Sequence, residues 1–303
     1  MPRNGQAVTT WGEQIDQAFL DIAQGLYEMI KSLLVADLAI SQKEQQLRSQ
    51  LIKKVHTIWI EGKLKTSLHG SREIDLHLED QSDMLEDPWK FNVWSLTIQD
   101  SNQAPRQLSE STNIVQIYDA SDNELLILGE PGAGKTTALL QLTRVLLQRA
   151  KDNTANPVPV VFNLSSWGQE QLPLTDWMIK ELSRLYNIPS EIGQSWIKKN
   201  QILPMLDSLD EIAGEVSLEA CIQAIINYHQ NFHGLNGTPL VICCRTLQYS
   251  MLSTKLPLNR AVQLLPLTSE EIQQYLQQAG SELTHLSELI LGNDEFANIT
   301  RNP

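Results

Sequence analysis

The 303-residue sequence has only three cysteines, no excess of basic residues and no long uninterrupted apolar run. Cys221, Cys243 and Cys244 make neither a disulfide framework nor a C-x-x-C pair, which excludes a disulfide-stapled scaffold and a thiolate metal knuckle. Cys243 and Cys244 are neighbours inside an apolar run, so on a strand they face opposite ways and suit core packing. A reduced, cytoplasmic setting is expected. Lys and Arg total 23 against 36 Asp and Glu, a net charge of −13. With a pI of about 4.9, the totals show no basic footprint for nucleic acid or an anionic membrane, and neither partner is expected. The N-terminus is polar and lacks the apolar run of a targeting segment. The most apolar early stretch, Leu26 to Ile40, is broken by Glu28, Lys31 and Asp37, unlike a transmembrane helix.

Several enzyme signatures are missing too. There is no G-x-S-x-G elbow for serine hydrolysis. His229 and His233 stand four apart, as ligands on one helical face do, but no H-E-x-x-H acid lies between them and no third ligand is evident. They read as a solvated helix face. No internal repeat or low-complexity tract is visible.

What is present is Gly129-Glu130-Pro131-Gly132-Ala133-Gly134-Lys135-Thr136-Thr137. It satisfies G-x-x-x-x-G-K-[ST] without substitution, after an apolar run (Leu125 to Leu128) and before a helix-periodic one (Ala138 to Leu147). The glycines allow the backbone to wrap with its N–H groups aimed at phosphate oxygens. Lys135 supplies a mobile cation for the β- and γ-phosphates, and the helix N-terminus adds a favourable dipole. The Thr136 hydroxyl is placed to ligate Mg²⁺. This is a nucleotide-phosphate site, and with no N-K-x-D guanine-reading stretch after it, adenine is the expected base.

The length suggests roughly two domains. Residues 1–60 are expected to be helical: apolar residues recur at Ile15, Phe19, Ile22, Leu26, Met29/Ile30 and Leu33, and again at Leu47, Leu51, Val55, Ile58 and Trp59. A helical hairpin broken near Ser41 accounts for both stripes; the alternative is an amphipathic element that docks an unknown protein partner. Residues 61–122 are polar and read as an irregular linker, with Trp89 and Trp94 suggesting that part of it packs on a domain. Over 123–267, strand candidates (Leu125–Leu128, Val158–Leu164, Ile202–Asp207, Leu240–Arg245, Ala261–Leu265) alternate with helix candidates (Thr136–Arg149, Thr175–Tyr186, Glu191–Lys199, Leu218–Phe232). That pattern predicts an α/β fold, a P-loop NTPase parallel sheet covered by helices on both faces and preceded by an α-helical N-terminal region. Thr268 and Glu271 form a capping box that opens a helical segment over 268–303.

A phosphate loop needs a carboxylate for Mg²⁺ and a group for the attacking water. Ile202-Leu-Pro-Met-Leu-Asp207-Ser-Leu-Asp210-Glu211 offers both, an apolar strand ending in acids. Asp207 is the candidate metal ligand, and Asp210 and Glu211 are the candidates that orient or activate water. Arg245 ends the next strand, where it can reach a γ-phosphate. The plainer alternatives are an acidic helix N-cap and a surface arginine.

With these residues in hand, the chain resembles a NACHT-type NTPase of the STAND class, in particular the bacterial, cyanobacterial-type members. The matching stretches are Leu126 to Thr137, Pro159-Val-Val-Phe-Asn-Leu-Ser-Ser-Trp167, Leu206-Asp-Ser-Leu-Asp-Glu211, the strand ending at Arg245, and Leu264-Leu-Pro-Leu-Thr268 leading to Tyr275-Leu276. Ile58-Trp-Ile-Glu-Gly-Lys-Leu64, Ser67-Leu-His and Asp87-Pro-Trp89 resemble the segment that precedes NACHT in those proteins. The resemblance implies ATP–ADP switching with Mg²⁺, opening and self-association in the ATP state, and an association with defence and programmed death. Residue by residue, it puts Gly129, Gly134, Lys135 and Thr136 on phosphate and metal, Asp207 in the Walker B role, Asp210 and Glu211 at the water and Arg245 as sensor. In two places the sequence departs from the pattern: Ser208 stands where Gly or Ala is common, and Pro204 falls inside the Walker B strand, where a missing N–H would disturb a central ladder. The chain is expected to stop soon after the helical domain begins.

The sequence thus predicts an ATP-binding, slowly hydrolysing signalling switch. The alternative is a catalytically weak, ADP-bound scaffold that works through its N-terminal helices. A small-molecule kinase would need an acceptor site or lid, and neither is recognisable.

Overall fold

The computed structural model describes residues 15–65, 78–80, 114–212, 215–232 and 238–265. The chain divides into two compact units, Met1–Gln50 and Leu51–Pro303. In the first, the described residues from Ile15 onward are one helix, α1 (Ile15–Val55), whose last five residues belong to the second unit; the sequence predicts a hairpin there. Between Leu38 and Leu47 there is neither Gly nor Pro, so nothing in the backbone ends the helix at Ser41. On it Leu26, Tyr27, Met29 and Ile30 are exposed. The helix continues into a π-helical segment, His56–Leu64, that belongs to the second unit and buries Ile60 and Leu64. No described helix is long and apolar enough to cross a membrane.

From Glu124 onward, short apolar runs form strands buried on both faces. They are β2 (Glu124–Gly129), β3 (Val158–Asn163), β4 (Ile202–Asp207), β5 (Leu240–Arg245) and β6 (Arg260–Leu264). These five are parallel in the order β6-β2-β5-β4-β3, and a three-residue strand, β1 (Leu78–Asp80), closes the β6 edge antiparallel. Parallel neighbours need crossovers, and amphipathic helices supply them. They are α3 (Lys135–Asp152), α4 (Leu174–Tyr186), α5 (Ser190–Lys198) and α6 (Glu215–Phe232). Two short α-helices, α2 (Ile114–Asp119) before β2 and α7 (Thr246–Ser250) after β5, are also present among the described residues. The sequence reading places α2 and β1 in an irregular linker. In fact α2 buries Ile114, Ile117 and Tyr118, and its Asp119 pairs with Arg149 of α3. Trp89, Trp94 and the helical segment expected after Thr268 lie outside the described residues.

Adjacent residues of β5 show how the layers stack. The Cys243 thiol donates to the Lys135 carbonyl at the start of α3, whereas Cys244 lies near enough to Cys221 of α6 to add to the rise that burial gives the Cys221 thiol. Neighbouring strand residues point to opposite faces, so α3 and α6 cover opposite sides of the sheet. All three thiols are buried and free, and burial pushes Cys244 up to about 12.

Pro204 leaves the sheet intact. β4 pairs with β3 along its whole length, from Ile202 to Asp207. Its pairing with β5 falls on Met205 and Leu206, just past the proline. The missing N–H therefore lies upstream of the part of the strand that carries Asp207.

His229 is a correction to the solvated-face reading. It is buried on α6 with its Nε2 3.1 Å from Glu124 Oε1, both side chains at 4% exposure or less. Glu124 also accepts from the Thr238 backbone N–H at 3.2 Å. The pair sits at the start of β2, the opposite end of that strand from the phosphate loop.

The π segment is fastened by Tyr186, the last residue of α4. Trp59 Nε1 donates to the Tyr186 hydroxyl at 2.8 Å, that hydroxyl donates to the Val161 carbonyl at 2.8 Å, and Lys54 Nζ donates to the Tyr186 carbonyl at 2.9 Å. Tyr186→Phe keeps the ring but removes two of these bonds. It is expected to cost about 1–3 kcal/mol, the penalty for partly or fully buried polar groups deprived of a partner. A denaturant midpoint compared with the wild type measures it.

Candidate functional site

The candidate site lies at the carboxyl ends of β2, β5 and β4, where a parallel sheet opens to solvent between its crossover helices. β2 ends at Gly129, which is in register with Arg245 at the end of β5. β5 lies between β2 and β4, so Arg245 stands between the phosphate loop and Asp207.

The loop's backbone explains its glycines. Gly132 and Gly134 have φ of 79° and 84°, the left-handed region that a side chain disfavours. Gly129 needs to be small for another reason. A Cβ there would lie 3.2 Å from the Cβ atoms of Ala133 and Leu264 and 3.3 Å from the Leu264 carbonyl. Lys135 folds back over the loop, its ammonium donating to the Gly129 and Glu130 carbonyls at 2.9 Å each.

Thr136 and Asp207, 71 residues apart in sequence, meet directly. The Thr136 hydroxyl shares its proton between Asp207 Oδ1 at 3.1 Å and Oδ2 at 3.0 Å. Asp207 is only 2% exposed. Burial raises its pKa above the ordinary carboxylate value; the Lys63 ammonium, the Thr136 hydroxyl and the Ser208 N–H pull it down, and Glu211 adds to the rise. Lys63 Nζ lies 3.9 Å from Asp207 Oδ2.

Beyond Asp207 the chain turns sharply. Ser208 takes φ 62° and ψ 40°, which explains why glycine suits this position: a left-handed residue bends the chain away from the strand. The short 3₁₀ turn that follows, Leu209–Glu211, separates the two acids that the sequence assigns to one role. Asp210 turns inward and is engaged twice by Arg245, through Nε to Oδ2 at 2.6 Å and through the backbone N–H to Oδ1 at 3.1 Å. Glu211 stays exposed at the rim.

These residues fit a nucleotide phosphate chain and a divalent cation. A side chain at Gly129 would crowd Ala133 and Leu264, the loop's two other glycines hold left-handed turns, and a buried carboxylate and a hydroxyl converge beside it. No cluster of three His, Cys, Asp or Glu among the described residues could hold a metal unaided. That suits Mg²⁺, which takes one or two protein oxygens and completes its shell from phosphate and water.

A family model described as NACHT domain matches residues 123–282, more than half of the chain. The chain belongs to the NACHT-domain family. Its NACHT domain is thus a nucleotide-binding P-loop NTPase domain. Among solved structures, the chain is similar to that of C. elegans PCH-2, at 18% identity and a TM-score of 0.35. The alignment covers 55% of this chain and 41% of that one, less than half of its length. No match was found among curated proteins.

Two features of this NACHT domain escape a motif reading. The Asp210–Arg245 pair joins residues 35 apart, one in the turn after β4 and the other at the end of β5. Lys63 reaches Asp207 from a segment that precedes the domain, and only the resemblance of Ile58 to Leu64 to the pre-NACHT segment hints that this stretch has a fixed place.

Proposed function

We propose that the chain is an ATP-binding, slowly hydrolysing regulatory switch. The observation that carries the proposal is the convergence of Thr136 and Asp207 beside a complete phosphate loop. In this reading the loop N–H groups from Gly129 to Thr137 and the Lys135 ammonium hold the β- and γ-phosphates. Lys135 exchanges its two carbonyl partners for phosphate oxygens. Thr136 and Asp207 hold Mg²⁺, which when bound neutralises charge on the phosphate oxygens. Glu211, exposed and beside Asp207, orients the attacking water and accepts its proton. Arg245 extends toward the γ-phosphate, and Asp210 fixes where that arginine stands. Asp210 is then a positioning residue, while Glu211 serves the water. A site that distinguishes ATP from ADP through Arg245 biases two conformations only as far as its contacts differ between them. Self-association in the ATP state is the proposed readout.

Glu211→Gln tests the hydrolytic part. It keeps size and polarity but removes the base, so turnover of ATP is expected to fall by about 100-fold or more, with ATP affinity within about threefold of wild type. Phosphate release and equilibrium binding, measured on the same preparations, check both. Equal turnover in the two proteins removes Glu211 from the mechanism.

A second reading is favoured by the exposed apolar residues Leu26, Tyr27, Met29 and Ile30 on α1. It is an ADP-bound scaffold that acts through its N-terminal helix, and it predicts co-purified ADP with no turnover.

A further inference from the structure

Lys63 is the feature that the switch reading does not use. It lies in the π segment His56–Leu64, yet its ammonium is 3.9 Å from Oδ2 of the candidate metal carboxylate. The segment is not loosely draped there. Ile60 and Leu64 are buried, and Trp59 is tied to the Tyr186 hydroxyl. Lys63 Nζ also lies 5.2 Å from the centroid of the Trp59 ring, within cation–π range. A π-helix has more residues per turn than an α-helix and is frequent at functional sites. Here residues four apart, Trp59 and Lys63, share the face that meets the NTPase domain.

We propose that Lys63 is a resident cation that competes with Mg²⁺ for Asp207, so that seating of residues 56–64 and loading of Mg·nucleotide oppose each other. The inference rests on the reading of Asp207 and Thr136 as metal ligands. A carboxylate at 2% exposure is costly to keep charged without a nearby positive group. In the seated state the lysine is that group, with the Thr136 hydroxyl as hydrogen-bond donor. A divalent cation on the same oxygens meets the ammonium as a like charge, and the lysine is the mobile partner because its side chain is 45% exposed. When Lys63 withdraws, the segment loses one of its fastenings and keeps the Trp59–Tyr186 contact. Because the segment continues directly from α1, the metal–nucleotide state of the site is coupled to the anchoring of the helix that precedes the domain. The coupling is reciprocal: anything that lifts the segment favours Mg·nucleotide, and Mg·nucleotide favours lifting the segment.

The test uses the full chain and ATP, with Mg²⁺ varied and a metal-free arm in EDTA. Lys63→Ala is expected to lower the Mg²⁺ concentration at half-maximal ATP binding by about fivefold, the small end of ordinary coupling, because the lysine is partly solvated. Lys63→Arg keeps the cation and is expected to retain the wild-type midpoint. In the wild type, amide hydrogen exchange over residues 56–64 should rise with Mg·ATP and stay unchanged with ATP in EDTA. An unchanged or raised Mg²⁺ midpoint in Lys63→Ala overturns the inference, as does exchange over 56–64 that ignores Mg·ATP. A wild-type chain that binds no ATP overturns the proposed function itself. Normal ATP binding with an unchanged midpoint overturns the competing-cation role alone.

Discussion

Lys135→Ala is expected to weaken Mg·ATP binding by at least about 100-fold while leaving the folded protein nearly as stable as wild type. The first part follows from charge. A lysine-to-phosphate contact is a charge-assisted interaction inside a cradle of N–H groups, and no other described lysine or arginine in the loop replaces it. The second part follows from where the side chain sits. Lys135 is half-buried, and its ammonium is bonded to two carbonyls of the loop itself. Water can take over those carbonyls, so the stability cost stays within about 1 kcal/mol, as for surface substitutions generally. Equilibrium binding of a fluorescent ATP analogue, alongside a thermal melt, separates the two effects. Undiminished affinity would sink the phosphate-loop reading. The same variant divides the two functional readings: a switch loses ATP-dependent self-association, whereas a scaffold acting through α1 keeps its partner binding.

Much of this site was legible because it is local. The phosphate loop packs its glycines, its lysine and its threonine into nine consecutive residues, and their spacing alone dictates the turn. Strand β4 was equally plain. Ile202–Asp207 is a short apolar run ending in acid, and the observed strand has those bounds. What the sequence did not show depends on distant partners. Ser41 is a different case, because no Gly or Pro stands near it to stop α1 and the local sequence already lets the helix run through. Helix α2 has only six residues and forms because Ile114, Ile117 and Tyr118 find a core to enter, a tertiary cause that a polar linker composition hides. His229 looks solvated by its spacing from His233, but the burial of α6 against Glu124 is invisible until the sheet exists. Lys63 is the extreme case, 144 residues from the carboxylate it meets. Spacing rules read neighbours along the chain; they cannot read a contact closed by a domain.

The Asp210–Arg245 pair yields the other large expected effect, and it distinguishes positioning from chemistry. If Asp210 served the water directly, Asp210→Ala and Arg245→Ala would remove different groups and their losses in turnover would multiply. If Asp210 acts through Arg245, each single change disables the same unit, and the double variant is no slower than the worse single one. The structure favours the second outcome. Both carboxylate oxygens of Asp210 face Arg245, one toward its side chain at 2.6 Å and one toward its backbone N–H at 3.1 Å. Asp210 is 5% exposed in that pair, so truncating Arg245 also strands a buried carboxylate, which raises the cost of that single variant. Each single variant is expected to lower ATP turnover by about 10- to 100-fold, with a coupling of about 1–3 kcal/mol between the two sites, as for residues in direct ionic contact. Arg245→Lys gives a further readout. It retains the charge but has no Nε–H to meet Asp210 in the same geometry, so a positioning role predicts only partial recovery of turnover with little change in ATP affinity. Multiplicative losses in the double variant would return Asp210 to the water and leave Arg245 to act alone.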